Sequence, residues 1–173
     1  MALRTLVLGL DMQYCYFDSP VGRLLLAGSE QGRLTLLGFP KGSLSYEPQK
    51  HWIYDMQPFI GWIIQLNEYF HGKRRSFDLP YEIIGTEFQK RVLDCVAKVP
   101  YAATSTYSAI AQQIQHPKAV RAVGMANARN RLPIIIPCHR IIGKNGKMTG
   151  FGGGIDVKQF LLQLESGESH AIL

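Results

Sequence analysis

Between residues 12 and 39 the apolar residues come in short runs broken by turn signals. MQYCYFD and RLLLAGS are rich in aromatic and branched residues and are separated by Ser19-Pro20-Val21-Gly22, a good turn. RLTLLGF follows Glu30-Gln31-Gly32 and reads as a third strand. Lys41 to Lys50 is polar, contains Gly42 and Pro48, and reads as a linker. The period then changes. From about Asp55 to Phe70, Phe59, Ile60, Ile63, Ile64 and Leu66 recur at helical spacing, and Gly72 is the stop signal. The pattern predicts an α/β unit, a small antiparallel sheet with one helix, over residues 1–85.

Past Gly85 the chain reads as mostly helical, and residues 86–173 form the second unit. Thr86 is a candidate N-cap, and Phe88, Val92, Leu93, Val96 and Val99 make one face of a helix ending at Pro100. TSTYSAIAQQI supplies a short helix with Ile110, Ala111 and Ile114 apolar, and Pro117 opens the next at its preferred first position. Two short helices joined by Gln115-His116-Pro117 give a helix-turn-helix pattern. The second carries small residues (Ala119, Ala122, Gly124, Ala126) between Arg121 and Arg129, which suits close approach to a nucleic-acid groove. Gly150 to Gly154 is loop material, and Asp156 is a candidate N-cap for a last helix with Phe160, Leu161 and Leu164 apolar.

Charge sharpens this picture. The net charge is +6, yet residues 86–150 hold ten Lys/Arg against Glu87 and Asp94, leaving the rest of the chain slightly acidic. Such a segment suits a polyanion, since neutralised phosphates supply most non-specific affinity for nucleic acid. Charge alone fits a solvated basic surface equally well. Cys15, Cys95 and Cys138 are odd in number and widely spaced, which argues against a disulfide framework. The five histidines are scattered without metal-ligand spacing, so no metal is expected. LRTLVLGL near the start is too short to span a membrane and lacks a cleavage site before Asp11, so a cytoplasmic or nuclear location is expected.

The candidate chemistry lies in IIIPCHRIIG, residues 134–143. A reactive cysteine needs its thiolate, and His139, Arg140 and a helical start after Pro137 can supply a base and a positive field. Adjacent residues on a strand point apart, so Cys138 and His139 can cooperate only in a turn or a helical start, where a water can link them. A histidine base usually has an acid orienting its other nitrogen, and Asp156 and Glu165 are the candidates. The plain alternative is an inert buried thiol, the commoner fate of a cysteine in an apolar run.

RAVGMANARNRLPIIIPCHRIIGKNGKMTGFGGGIDVKQFLLQLE resembles the signature region of the O6-alkylguanine-DNA alkyltransferases, and the likeness runs from residue 86 to 165. The first unit fits their variable N-terminal domain more loosely. The resemblance implies a ribonuclease H-like N-terminal domain and a C-terminal domain with a winged-helix-like helix-turn-helix. It implies a single-turnover, cofactor-free repair enzyme that acts as a monomer on duplex DNA through the minor groove. The alkyl group would pass from O6 of guanine, and from O4 of thymine, to Cys138. His139, oriented by Glu165 and working through water, would take the thiol proton. Asn130 would hold the turn, and Tyr107 would donate to the extruded base. Pro133, Ile141, Phe151 and Gly152 would line the guanine pocket. Arg121 would fill the space left by the base, with Lys118, Ala119, Ala122 and Arg129 against DNA.

Three positions depart from the usual pattern of these proteins: Phe151 for Tyr, Arg131 for Pro, and Ala102 for Gly. Ala102 puts the turn before Tyr107 in question. Two other readings compete. A binding module that recognises alkylated DNA without repairing it would lack the acceptor cysteine, and Cys138 argues against it. A Cys-His hydrolase would leave the helix-turn-helix and the basic segment without purpose.

Overall fold

The computed structural model describes residues 12–168, so LRTLVLGL lies outside it. Three strands pair as the alternation predicts: β1 (Gln13–Ser19), β2 (Gly22–Gly28) and β3 (Leu34–Gly38) form an antiparallel meander. Ser19 closes the first turn by donating to the Gly22 carbonyl at 2.7 Å. The expected antiparallel sheet is nevertheless mixed, because β4 (Ile53–Tyr54) adds parallel to β1. Two residues are too short a run to carry a period, so the sequence pattern gave no sign of it.

A 3-10 turn at Gln57–Phe59 leads into α1 (Ile60–Phe70). Its buried face is Trp62, Gln65, Leu66, Tyr69 and Phe70, whereas Ile60 and Ile64 are exposed. Large aromatics won the core side and displaced the isoleucines that the spacing had put there. Gly72 follows the helix with φ +69°, the left-handed conformation that glycine adopts at no steric cost.

In the second half, Thr86 caps α2 (Glu87–Val96) in a reciprocal box with Gln89. The helix stops at Val96, short of the predicted Pro100, and Val99 reaches the core from the following turn. The short strand β5 (Ser105–Thr106) runs into α3 (Tyr107–Gln113), which Thr106 caps through Ala109 N–H. Helix α4 spans Val120–Ala128, three residues later than Pro117 predicted. Gln115, at φ +62°, reverses the chain, and His116–Ala119 form a tight turn before the helix proper. Strand β6 (Ile141–Ile142) pairs parallel with β5. Helix α5 (Ile155–Ser166) is capped by Gly154 at φ +101°, so the expected N-cap Asp156 sits in the first turn instead.

One core joins both halves. Leu24, Leu26 and Leu37 of the sheet, Trp62 and Leu66 of α1, and Val92, Val96, Ile110 and Val123 of the helices belong to a single buried cluster. The 41–50 segment is more than a linker. Leu44 is buried, its N–H donates to the Gly152 carbonyl at 3.1 Å, and its side chain fills the space a Cβ at Gly152 would need. Gly42 lies so close to the same carbonyl that no side chain fits there. Among the described residues no helix is long and apolar enough to cross a membrane.

Candidate active site

Cys138, His139 and Arg140 form a single 3-10 turn after Pro137, the geometry in which neighbours in sequence can act together. The approach to it is strained. Ile134 takes φ +73°, a backbone conformation that a β-branched residue rarely adopts, inside the buried stretch Leu132–Pro137. Asn130 holds the bend from within: its Nδ2 donates to the Ile136 carbonyl at 2.8 Å, and its Oδ1 accepts from Leu132 N–H at 3.0 Å. It is fully buried. Arg131 ties the same bend to the sheet, accepting from Leu37 N–H through its carbonyl at 2.8 Å while its guanidinium lies over the Tyr46 ring.

His139 is fully buried, and its Nε2 meets Oε1 of Glu165 at 2.7 Å. Glu165, not Asp156, is therefore the acid bonded to this imidazole. The carboxylate accepts five bonds: from His139 Nε2, Arg140 Nε and Nη2, Tyr69 Oη and Ala102 N–H. Burial pushes its pKa up, but the bonds and charges of His139 and Arg140 outweigh it and hold the group down at about 2. An ionised acceptor fixes the tautomer. Nε2 carries the proton, and Nδ1 presents a lone pair with no protein partner among the described residues. Burial lowers the affinity of His139 for a second proton; Glu165 opposes this, Arg140 and Lys158 add to it, and the net shift is downward, so the imidazole rests neutral.

Burial also raises the Cys138 thiol to about 11, a shift that the Asn130 amide and the Lys158 ammonium partly offset. Lys158 escaped the sequence reading. It is fully buried on α5, and Nζ donates to the Ile141 carbonyl at 2.6 Å. Desolvation lowers its pKa, and the nearby thiol works the other way. A signal was present, since Lys158, Leu161 and Glu165 fall on one helical face.

The remaining predicted residues fall into two groups. Around the turn, Ile141 and Pro133 are buried, and Phe151 and Gly152 lie on a loop backed by Phe39 and Leu44. Tyr107, the first residue of α3, shares a hydrogen bond with Thr149 of that loop at 2.8 Å. On the outer side, Lys118, Arg121, Ala122 and Arg129 are exposed along α4 and its approach, with Ala119 half-buried. Cys15 and Cys95 lie in strand and helix, and burial raises both thiols.

Residues 87–167 match the family model described as 6-O-methylguanine DNA methyltransferase, DNA binding domain, and residues 12–83 match the ribonuclease-like domain of the same proteins. The chain belongs to the 6-O-methylguanine DNA methyltransferase family. A methylated-DNA–protein-cysteine methyltransferase from Methanosarcina acetivorans is 48% identical over 154 residues, covering 89% of this chain and 98% of its own. The Mycobacterium tuberculosis protein of that name is 44% identical over 163 residues, covering 94% and 97%. The crystal structure of Mycobacterium tuberculosis OGT in complex with DNA has a TM-score of 0.85 at 44% identity, covering 92% of this chain and 96% of that one.

Within this methyltransferase the departures have structural answers. The turn at Ala102 forms, with Ala103 N–H donating to the Pro100 carbonyl at 3.1 Å, although Ala102 must hold φ +61°. Phe151 meets Phe39 edge-to-face at 5.7 Å between centroids, an apolar contact that asks for no hydroxyl.

Proposed function

We propose that this methyltransferase repairs DNA by moving the alkyl group of O6-alkylguanine, and of O4-alkylthymine, onto Cys138 in one irreversible turnover. One observation carries the reading: Cys138 shares a turn with a neutral, buried histidine whose far nitrogen is held by an ionised glutamate. An alkyl group on the base oxygen is hidden in the stack, so the nucleotide must be turned out to reach this turn. Arg121, exposed on α4, would fill the space left behind, with Lys118 and Arg129 on phosphates and Ala119 and Ala122 permitting close approach in the minor groove. Pro133, Ile141, Phe151 and Gly152 would bound the base.

The thiol proton passes to His139 Nδ1 through a bridging water, and the Glu165 carboxylate balances the imidazolium that forms. The sulfur then attacks the alkyl carbon. The S–C bond forms as the C–O bond breaks, and its electron pair stays on the base, which takes a proton from Tyr107 as it leaves. Nδ1 returns its proton by way of solvent to the Tyr107 phenolate. The thioether product has no acylated or phosphorylated carbon that water could attack readily, so the protein ends alkylated. Such a protein works beside DNA, in the cytoplasm or nucleus.

Incubation with a duplex containing O6-methylguanine should add one methyl mass per chain, located on Cys138 by peptide mapping. Cys138→Ser should lose the transfer and keep DNA affinity. Unchanged mass with tight binding to the lesion would favour a recognition module instead.

A further inference from the structure

Tyr69 belongs to α1, in the half of the chain that carries no acceptor chemistry. Its side chain is fully buried, and its hydroxyl donates to Glu165 Oε1 at 2.7 Å, bridging the two halves. The same oxygen receives His139 Nε2 at 2.7 Å. Packing alone does not ask for this hydroxyl. The ring meets Phe70, Phe77 and Tyr101, and phenylalanine would satisfy all three contacts. A buried hydroxyl is costly unless it is bonded, and Glu165 is the partner that makes it tolerable.

We propose that Tyr69 is a positioning residue for the acceptor site: through Glu165, the N-terminal half sets how readily His139 takes the thiol proton. This rests on the reading of Cys138 as acceptor and His139 as its base. The groups around the pair are few. Arg140 faces Glu165 from the turn, Tyr101 and the Ala102 amide from the segment before β5, and Lys158 faces His139 and Cys138 from α5. Of these, only Tyr69 and Arg140 share Oε1 with the imidazole. Arg140 supplies the compensating charge, and Tyr69 is the neutral donor that draws electron density from Oε1. Without the hydroxyl, Oε1 would bind Nε2–H more strongly and favour the imidazolium. His139 would then be protonated at higher pH, and the acid limb of alkyl transfer, where the base is already occupied, would move up with it.

The test compares the intact protein with Tyr69→Phe and Leu66→Ala. Leu66 lies one turn earlier on the same buried face of α1 and offers Glu165 no hydrogen bond, so its truncation reports a packing defect alone. His139 side-chain NMR titration and the pH dependence of transfer from free O6-benzylguanine are read on all three. Tyr69→Phe should raise both the His139 titration and the acid limb by about half to one pH unit. Leu66→Ala should melt earlier and leave both where they were. An unmoved titration in Tyr69→Phe, or an equal shift in Leu66→Ala, overturns the proposal. If the titration moves as expected but the intact protein takes up no alkyl group, Tyr69 has its assigned role and the acceptor reading fails.

Discussion

Lys158 is the residue whose placement departs furthest from its usual chemistry. A buried ammonium is costly to desolvate, and here it is satisfied by carbonyls of Ile141 and Thr149 rather than by a carboxylate. What remains is a positive field at the sulfur, weakly screened because both groups are buried. Lys158→Met keeps the volume and removes the charge. It should slow single-turnover alkyl transfer by about tenfold to a hundredfold, with DNA affinity retained. Quench-flow with a lesion-bearing duplex, alongside a binding titration, separates the two effects. Cys138 and His139 were readable from sequence as a candidate nucleophile and base because they are neighbours, whereas Glu165 was one of two candidate acids and only the resemblance to the alkyltransferases singled it out. Lys158 and Tyr69 were not readable, because each owes its role to burial. On most helices a lysine or tyrosine at those positions is a surface or plain core residue.

Among the elements, the turn at residues 100–103 shows how the chain accommodates an unfavoured residue. Ala102 sits in left-handed backbone, which costs a residue with a Cβ roughly 1 kcal/mol, and its N–H is committed to Glu165. Ala102→Gly should therefore raise stability by about 0.5 kcal/mol, the relief being partly offset by the greater freedom of glycine in the unfolded chain. Denaturant midpoints at constant slope check this, and a loss of stability would mean that the strain is absent. Strands β1–β3 and helix α2 were legible because their periods and caps agree. The exposed face of α1 was misread because apolar residues occupy both sides of that helix, and bulk decided which side faced inward. Nothing local marks β4, whose two residues pair only because the preceding segment brings them beside β1.

At the scale of the whole molecule, charge and chemistry are arranged in layers. The exposed cations Lys118, Arg121 and Arg129 lie on the helix-turn-helix, while the reacting groups are enclosed behind it. Arg121→Ala should lower transfer from duplex DNA well beyond tenfold and leave transfer from free O6-benzylguanine nearly unchanged, because the free base needs no extrusion. Equal losses on both substrates would remove Arg121 from that role. The sheet half contributes from the other side, with Tyr69 at the acid and Leu44 behind the pocket loop. One buried cluster draws on residues of both halves. Burial of Cys138 also bears on how long the protein lasts before use. With its thiol pushed up by burial, Cys138 is overwhelmingly protonated at neutral pH. Peroxides attack thiolates, so a protein that can react only once keeps its sulfur from being spent on oxidants while it waits for damage.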